Sequence, residues 1–348
     1  NLRVVDIESG RDTPLPCDTG GYASFVEPDI SRAGKLVASR VAIESDIFKY
    51  PVVIGSPREN VDNAKRITRQ TGLVQVPSAS PSGDQVAYLS NRGGRANIWV
   101  TSVADPDNPR RLTNEQDPDV IIGLPLWSPT DDLITYWRGP PNSKAEQCLV
   151  PPDGNEQLRR RLVQCRGGAA WSRDGEWLYY IASTDDPRTT TMEKVPVAGG
   201  VAKPVLDKAA GLTIARDGKT GFFQPSNASD GEVWKVTFGD GDPVREPFRT
   251  DLQSRIPLWP HHYSLSPDEK WLATPLRDNG TTNLWVISTE DARLEQITDF
   301  GDRPTTIGRQ VSWSRDESSG EQYIFAALME TDADIVALEG LLRGTGNG

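Results

Sequence analysis

The chain has 348 residues, 36% hydrophobic and 25% charged, with 31 glycines, 27 prolines and a formal net charge of -11. This composition fits a folded, turn-rich protein, and the acidic balance excludes nucleic acid as an expected partner because the surface would repel phosphates. No run of eighteen apolar residues is present, so insertion of this chain into a membrane is not expected, and NLRVVDIESG at the start lacks the basic and apolar regions of a signal peptide.

Along the chain, residues 1–16 read as strand, and from residue 30 a polar turn followed by an apolar run recurs seven times. The copies are ISRAGKLVASR from Ile30, ASPSGDQVAYLS from Ala79, WSPTDDLITYW from Trp127, WSRDGEWLYYI from Trp171, IARDGKTGFFQ from Ile214, LSPDEKWLATP from Leu265 and WSRDESSGEQYIFAAL from Trp313. The turn serine or its equivalent falls at 31, 80, 128, 172, 215, 266 and 314, a spacing of 43 to 51 residues. With strand-like contents, that period predicts propeller blades of four antiparallel strands. Asp and Gly in the turn supply the side-chain hydrogen bond and the positive φ of a tight hairpin.

Within a copy, the second strand is alternating or continuously apolar, as expected if both faces pack against neighbouring blades. The third carries a large residue at one position: Trp99, Trp234 and Trp285 in three copies, Phe48 and Met192 in two others. These tryptophans are expected to pack between blades. The fold expected is all-β, a single-domain seven-bladed propeller with blades at 21–72, 73–117, 118–165, 166–210, 211–252, 253–302 and 303–341. The last copy ends in ADIVALEGLL without a fourth strand, so residues 1–16 are expected to close the ring there, because an unpaired edge would expose free N–H and C=O groups. An eighth, incomplete blade is the alternative count. A closed ring leaves no sheet edge to pair through, so a monomer is expected.

The segments SPSGDQVAYLSNRGGRANIWVTSV, WSRDGEWLYYIASTDD and SLSPDEKWLATPLRDNGTTNLWVISTED resemble the repeats of TolB-like bacterial β-propellers, a WD-repeat-like family, over nearly the whole chain. The resemblance implies the architecture and several functions. Such propellers serve as periplasmic protein-interaction modules, sensory ends of kinases and winged-helix regulators, gating domains of peptidases, and polysaccharide lyases.

Because a fold does not set a function, the site has to come from residues. Loops at a channel mouth are the natural place, above all DLQSRIPLWPHHYSLSPDEK at 251–270, which holds Arg255, Trp259, Tyr263 and both histidines, His261 and His262. Trp259, His261, Tyr263, Arg309, Tyr22 and Asp119 are the candidate ligand-binding residues. If the protein is a lyase acting on uronate polysaccharides, Arg255 would offset the carboxylate while His261, His262 or Tyr263 moves the protons. Adjacent residues on a strand point to opposite faces, which argues against both histidines serving one substrate.

No zinc constellation is available, and no cofactor is expected. Acidic loops around Asp117 and Asp119 and at 183–186, 238–242 and 330–334 offer at most a calcium site, none with EF-hand spacing. Neither a G-x-S-x-G elbow nor a P-loop occurs. Cys148 and Cys165 flank a hairpin-like segment and are either buried thiols or a disulfide closing a loop of roughly 17 residues, worth about 3 kcal/mol in the chain-entropy picture. A disulfide would favour an oxidising compartment. The expected function is a noncatalytic binding module for a protein or polysaccharide, periplasmic or extracellular. A lyase is the second reading, and the sensory end of a larger regulator the third.

Overall fold

Six of the seven recurring motifs form a turn between two antiparallel strands in a computed structural model that describes residues 3–5, 12–14, 23–30, 36–70, 72–140, 144–183, 190–226, 231–252, 255 and 263–338; the turn of the first copy, at 31–35, lies outside them. In the turn at Ser172, the hydroxyl donates to Asp174 Oδ1 at 2.5 Å and accepts the Trp177 N–H at 2.9 Å. Ser266 repeats the pattern, with Asp268 Oδ1 at 2.6 Å and the Trp271 N–H at 3.0 Å. Ser80 donates to Asp84 and Ser128 to Asp132, both at 2.8 Å. The serine thus ties the turn acid to the start of the next strand, satisfying groups that a bare turn would leave to water.

Six antiparallel units follow among the described residues, five of four strands and one of five. The first comprises Val74–Ala79, Gln85–Ser90, Asn97–Ser102 and Arg110–Arg111. The second and third form one seven-stranded sheet because they share the long strand Arg160–Trp171, which pairs with Ala145–Val150 at its start and with Trp177–Ala182 at its end. The fourth spans Ala209–Ile214 to Val244–Arg249, and the fifth Ser264–Leu265 to Leu294–Gln296. Both ends of the chain build the sixth, in which Thr305–Arg315 and Gln322–Leu338 are followed in space by Leu36–Pro51, whose far edge pairs with Ala23–Ile30 over 36–42 and with Lys65–Arg66 at 48–49.

This arrangement corrects the expected seven blades and the expected closing strand. Ala23–Ile30 folds back onto 36–42, but residues 36–51 run on as one unbroken strand, so the first copy joins the last unit instead of forming a blade of its own. No Gly, Pro or Asn-Gly interrupts RVAIESDIF at 40–48, and nothing local forces a turn there. That strand instead pairs with the last copy from Tyr323↔Pro51 to Leu338↔Leu36. Arg3–Val5 and Asp12–Pro14, from the segment expected to close the ring, pair with each other in a separate two-stranded sheet. Early and late parts of the chain do meet in one sheet, but through 36–51 against 323–338 and not through residues 1–16.

Six apolar clusters lie between neighbouring units in cyclic order. Ala87, Ile98 and Leu112 of the first unit meet Trp127, Tyr136 and Cys148 of the second. Leu149 of the second meets Trp171, Leu178 and Tyr180 of the third. Tyr179 and Met192 of the third meet Ile214, Phe223 and Val236 of the fourth. Phe222 and Val233 of the fourth meet Leu272 and Ile287 of the fifth. Ala273, Val286 and Phe300 of the fifth meet Tyr50, Trp313 and Ile324 of the sixth. Ile47, Phe325 and Ala327 of the sixth meet Val74, Val86 and Tyr88 of the first. Successive residues of one second strand, Leu178, Tyr179 and Tyr180, serve two different clusters, which is why these strands read as continuously apolar. Phe48, Trp99, Trp234 and Trp285 pack, as expected, on the cluster shared with the preceding unit. No sheet closes on itself; the cycle is held by packing.

Hydrogen bonds and close approach reinforce the seams. The Ser78 hydroxyl accepts the Trp127 N–H at 2.8 Å, that of Ser312 the Ala79 N–H at 3.0 Å and that of Ser264 the Trp313 N–H at 3.2 Å, which spans three consecutive seams including the one that closes the cycle. At that closing seam Gly83, at φ +71°, lies so near the sixth unit that a Cβ would stand 2.7 Å from Ser314 Oγ. Gly175 meets Thr130 in the same way.

Gly83→Ala should therefore destabilise the fold by about 1–3 kcal/mol, combining a disfavoured φ with overpacking. Gly239→Ala, where no atom lies within 4 Å, should leave the urea midpoint unchanged. Equal midpoints for the two variants would contradict this packing.

Acid should loosen the turns together. Serine hydroxyls acting first on Asp84, Asp174 and Asp316 hold these carboxyls below the usual range, Asp316 at about 2. For Asp132, Asp217 and Asp268, burial pushes upward, but hydrogen bonds from hydroxyl and backbone donors outweigh it, so these too are lowered. A depressed folded-state pKa gives stability that is present above the unfolded carboxylate range and lost as pH falls through the folded value. The urea midpoint should stay level down to about pH 5 and drop between about pH 4 and about pH 2.

Candidate binding site

The first strands of all six units line a central cavity of about 390 Å³. Its wall includes Ser78, Leu124, Gly168, Leu212, Tyr263 and Gln310, one residue from each unit. Five of these strands carry a bulge, between Gln75 and Ser78, Gly123 and Leu126, Cys165 and Ala169, Ala210 and Thr213, and Ile307 and Val311. Val76, Leu124 and Gly211, each four residues before the turn serine or its equivalent, take positive φ at three of them. A bulge bends a strand and re-aims its peptide groups, here around the lumen. The buried Gln310 amide donates to one of them, the Pro125 carbonyl, at 3.0 Å.

The cavity reaches the turns that follow the first strands, at Pro81, Pro129, Arg173, Arg216 and Pro267. Among the described residues, the two arginines are the only charged ones in its wall. They face a single carboxylate: Arg173 Nε stands 3.7 Å and Arg216 Nε 4.0 Å from Glu269 Oε1, which also accepts the Arg216 backbone N–H at 2.7 Å. Burial, followed by the charge of Arg216, pushes the Arg173 guanidinium below its ordinary pKa, and Glu269 only partly opposes them. Glu269 sits at φ +62°, in the turn position where the other copies prefer glycine. The sequence hinted at this mouth only weakly: the residue after the turn serine is Pro in three copies and Arg at 32, 173, 216 and 315, of which Arg32 lies outside the described residues and Arg315 outside the cavity wall.

Of the residues expected to bind or react, Arg255, Tyr263 and Asp119 have described side chains. Trp259, His261, His262 and Tyr22 lie outside the described residues, as does the side chain of Arg309. Arg255 is committed to Asp278 through two hydrogen bonds of 2.9 and 2.8 Å, and its guanidinium lies 4.4 Å from the centre of the Trp285 ring. Tyr263 is 4% exposed and packs with Leu252, Leu265 and Leu276; burial raises its phenol pKa far above the ordinary range, against proton transfer near neutral pH. Asp119 is exposed in the turn leading into Ile121–Trp127 and donates its backbone N–H to Asp117 Oδ1 at 3.0 Å. No group of three potential metal ligands occurs among the described residues, and none of their helices is long and apolar enough to cross a membrane.

Cys148 and Cys165 are buried free thiols rather than a disulfide. Cys148 stands opposite Arg161 and Cys165 opposite Ala145, and the two side chains enter different clusters, one on each side of the second unit. The hairpin suggested by their spacing is real, but the residues face away from each other.

Cyclic packing of four-stranded antiparallel sheets around a lumen defines a β-propeller. The fold is of the TolB-like kind. TolB from Acinetobacter baumannii superposes with a TM-score of 0.56 at 16% identity, over 72% of this chain and 63% of that one. TolB from Agrobacterium tumefaciens gives 0.60 at 15% identity, over 82% of this chain and 99% of that one. A puromycin-hydrolyzing peptidase of Mycobacterium tuberculosis gives 0.52 at 14% identity, over 86% of this chain but 50% of the peptidase. The chain thus spans less than two thirds of A. baumannii TolB and half of the peptidase. No family model and no curated protein matches the sequence.

Burial pushes the Cys165 thiol up to about 12 and raises that of Cys148. Iodoacetamide at pH 8 should leave both unmodified in the native protein and alkylate both in urea, as read by peptide mass mapping. Rapid native alkylation would contradict this burial.

Proposed function

We propose that the chain is a noncatalytic binding propeller that receives its ligand at the arginine-bearing mouth of the central cavity, working as a monomer in the periplasm or outside the cell. The observation that carries this reading is the wall itself: six strand ends converge on one cavity whose only charges, among the described residues, are two arginines sharing one carboxylate. A cavity of this size falls in the range of ligand sites, and convergent, under-compensated charge marks where binding energy is available. The TolB-like fold agrees with a binding role without specifying a partner.

The lyase reading around 255–263 is weaker for a specific reason. Arg255 would have to leave both Asp278 and the Trp285 face before it could offset a substrate carboxylate, and Tyr263 is packed among leucines. The third reading, a sensory domain of a longer regulator, places the ligand at the same mouth.

Photocrosslinking tests the proposal. With benzoylphenylalanine at Pro81 or Pro267, adducts should form in a periplasmic extract; with the same residue at the exposed Asn279, in the turn joining Trp271–Asp278 to Thr281–Ser288, they should not. Release of unsaturated products from acidic polysaccharides, abolished by His262→Ala, would replace this reading with the lyase.

A further inference from the structure

Resting on that reading of the mouth, we infer that the ligand group held between Arg173 and Arg216 is a carboxylate carried by an acidic peptide segment. Four observations lead there.

In a chain of net charge -11, the described residues of the cavity wall carry positive charge alone. An acidic molecule repels anions in general, so this mouth selects them locally. The two guanidiniums have incomplete internal satisfaction: both approach Glu269 at 3.7 and 4.0 Å, beyond hydrogen-bonding distance, while its Oε1 takes a backbone N–H. Ten N–H donors on two planar forks share one carboxylate, which leaves geometry for a second, and planar forks match carboxylates best.

Their supports are rigid. Arg173 follows Ser172 in a turn fixed by Asp174, and Arg216 also donates to the Pro267 carbonyl at 3.3 Å. The Arg173 side chain is 29% exposed and that of Arg216 67%, so one lies deep against the wall while the other reaches solvent. An entering anion therefore meets Arg216 first and Arg173 second.

The rest of the wall favours a peptide over a uronate chain. Its described tryptophans, Trp127, Trp171 and Trp313, are 5 to 8% exposed, so none of the three offers an open ring face on which a sugar could stack. What the lumen offers beyond the arginines is leucine, serine and bulged main chain, which suits apolar side chains and peptide groups.

The test is calorimetric titration with an alternating leucine-glutamate hexapeptide, its leucine-glutamine counterpart, free glutarate and tetragalacturonate. The glutamate peptide should bind, more weakly as salt rises, and the glutamine peptide at least about tenfold more weakly. Arg173→Gln and Arg216→Gln should each lower affinity for the glutamate peptide about tenfold, with unchanged thermal unfolding for Arg216→Gln, whose side chain is mostly in water. Glu269→Gln, which removes the internal competitor, should tighten it.

Equal binding of both peptides, insensitive to the arginine substitutions, would overturn the carboxylate while leaving a binding mouth. Tighter binding of glutarate than of the peptide, or of tetragalacturonate in an arginine-dependent way, would overturn the peptide. Absence of binding by all four probes would overturn the inference outright.

Discussion

Everything in this fold depends on burying both faces of each central strand. Leu178 and Tyr180 point into one seam while Tyr179 points into the next, so a single four-stranded unit would expose apolar side chains on two sides at once. At about 25 cal/mol for each Å² of apolar surface left in water, an isolated unit has no stable existence, and neither does an open row with two bare faces. The cycle is the arrangement that leaves no face uncovered. The serine hydroxyls that reach across three seams and the glycines that let turns touch are the means by which neighbours come close enough.

The same demand explains what the sequence disclosed. An S-x-D-G turn before an apolar run is a local instruction, and its recurrence announced strands, turns and period. The tryptophans at 99, 234 and 285 occupied their seams because a pleated strand leaves a bulky residue at that position few alternatives. The count of units was not local. The copy near Ser31 resembles the others, yet 36–51 continues straight because its partner is the strand beginning at Gln322, far away in the chain. Pairing at that distance leaves no mark within either segment.

The site was harder to read than the fold. A loop crowded with histidine, tyrosine and arginine draws the eye in a sequence, whereas Arg173 and Arg216 occupy turn positions where proline is as common. Only the ring brings residues from the third, fourth and fifth units to one opening. Arg255 shows the reverse case, an apparently reactive side chain whose bonds to Asp278 make it part of the scaffold. The cysteines teach a similar lesson, since spacing suggested opposition across a hairpin and the facing of the strand denied it.

Because the sixth unit is assembled from strands at 36–66 and 305–338, its halves are made at widely separated moments of translation. The early half must wait without its Gln322–Leu338 partner while the other units are synthesised behind it. Loop closure of that length is slow compared with the local hairpins, which places completion of the circle last among the assembly events. A ribosome that stalls before residue 305 would therefore release a chain with two naked seams, a natural substrate for chaperones and proteases, whereas a chain that passes that point acquires both at once.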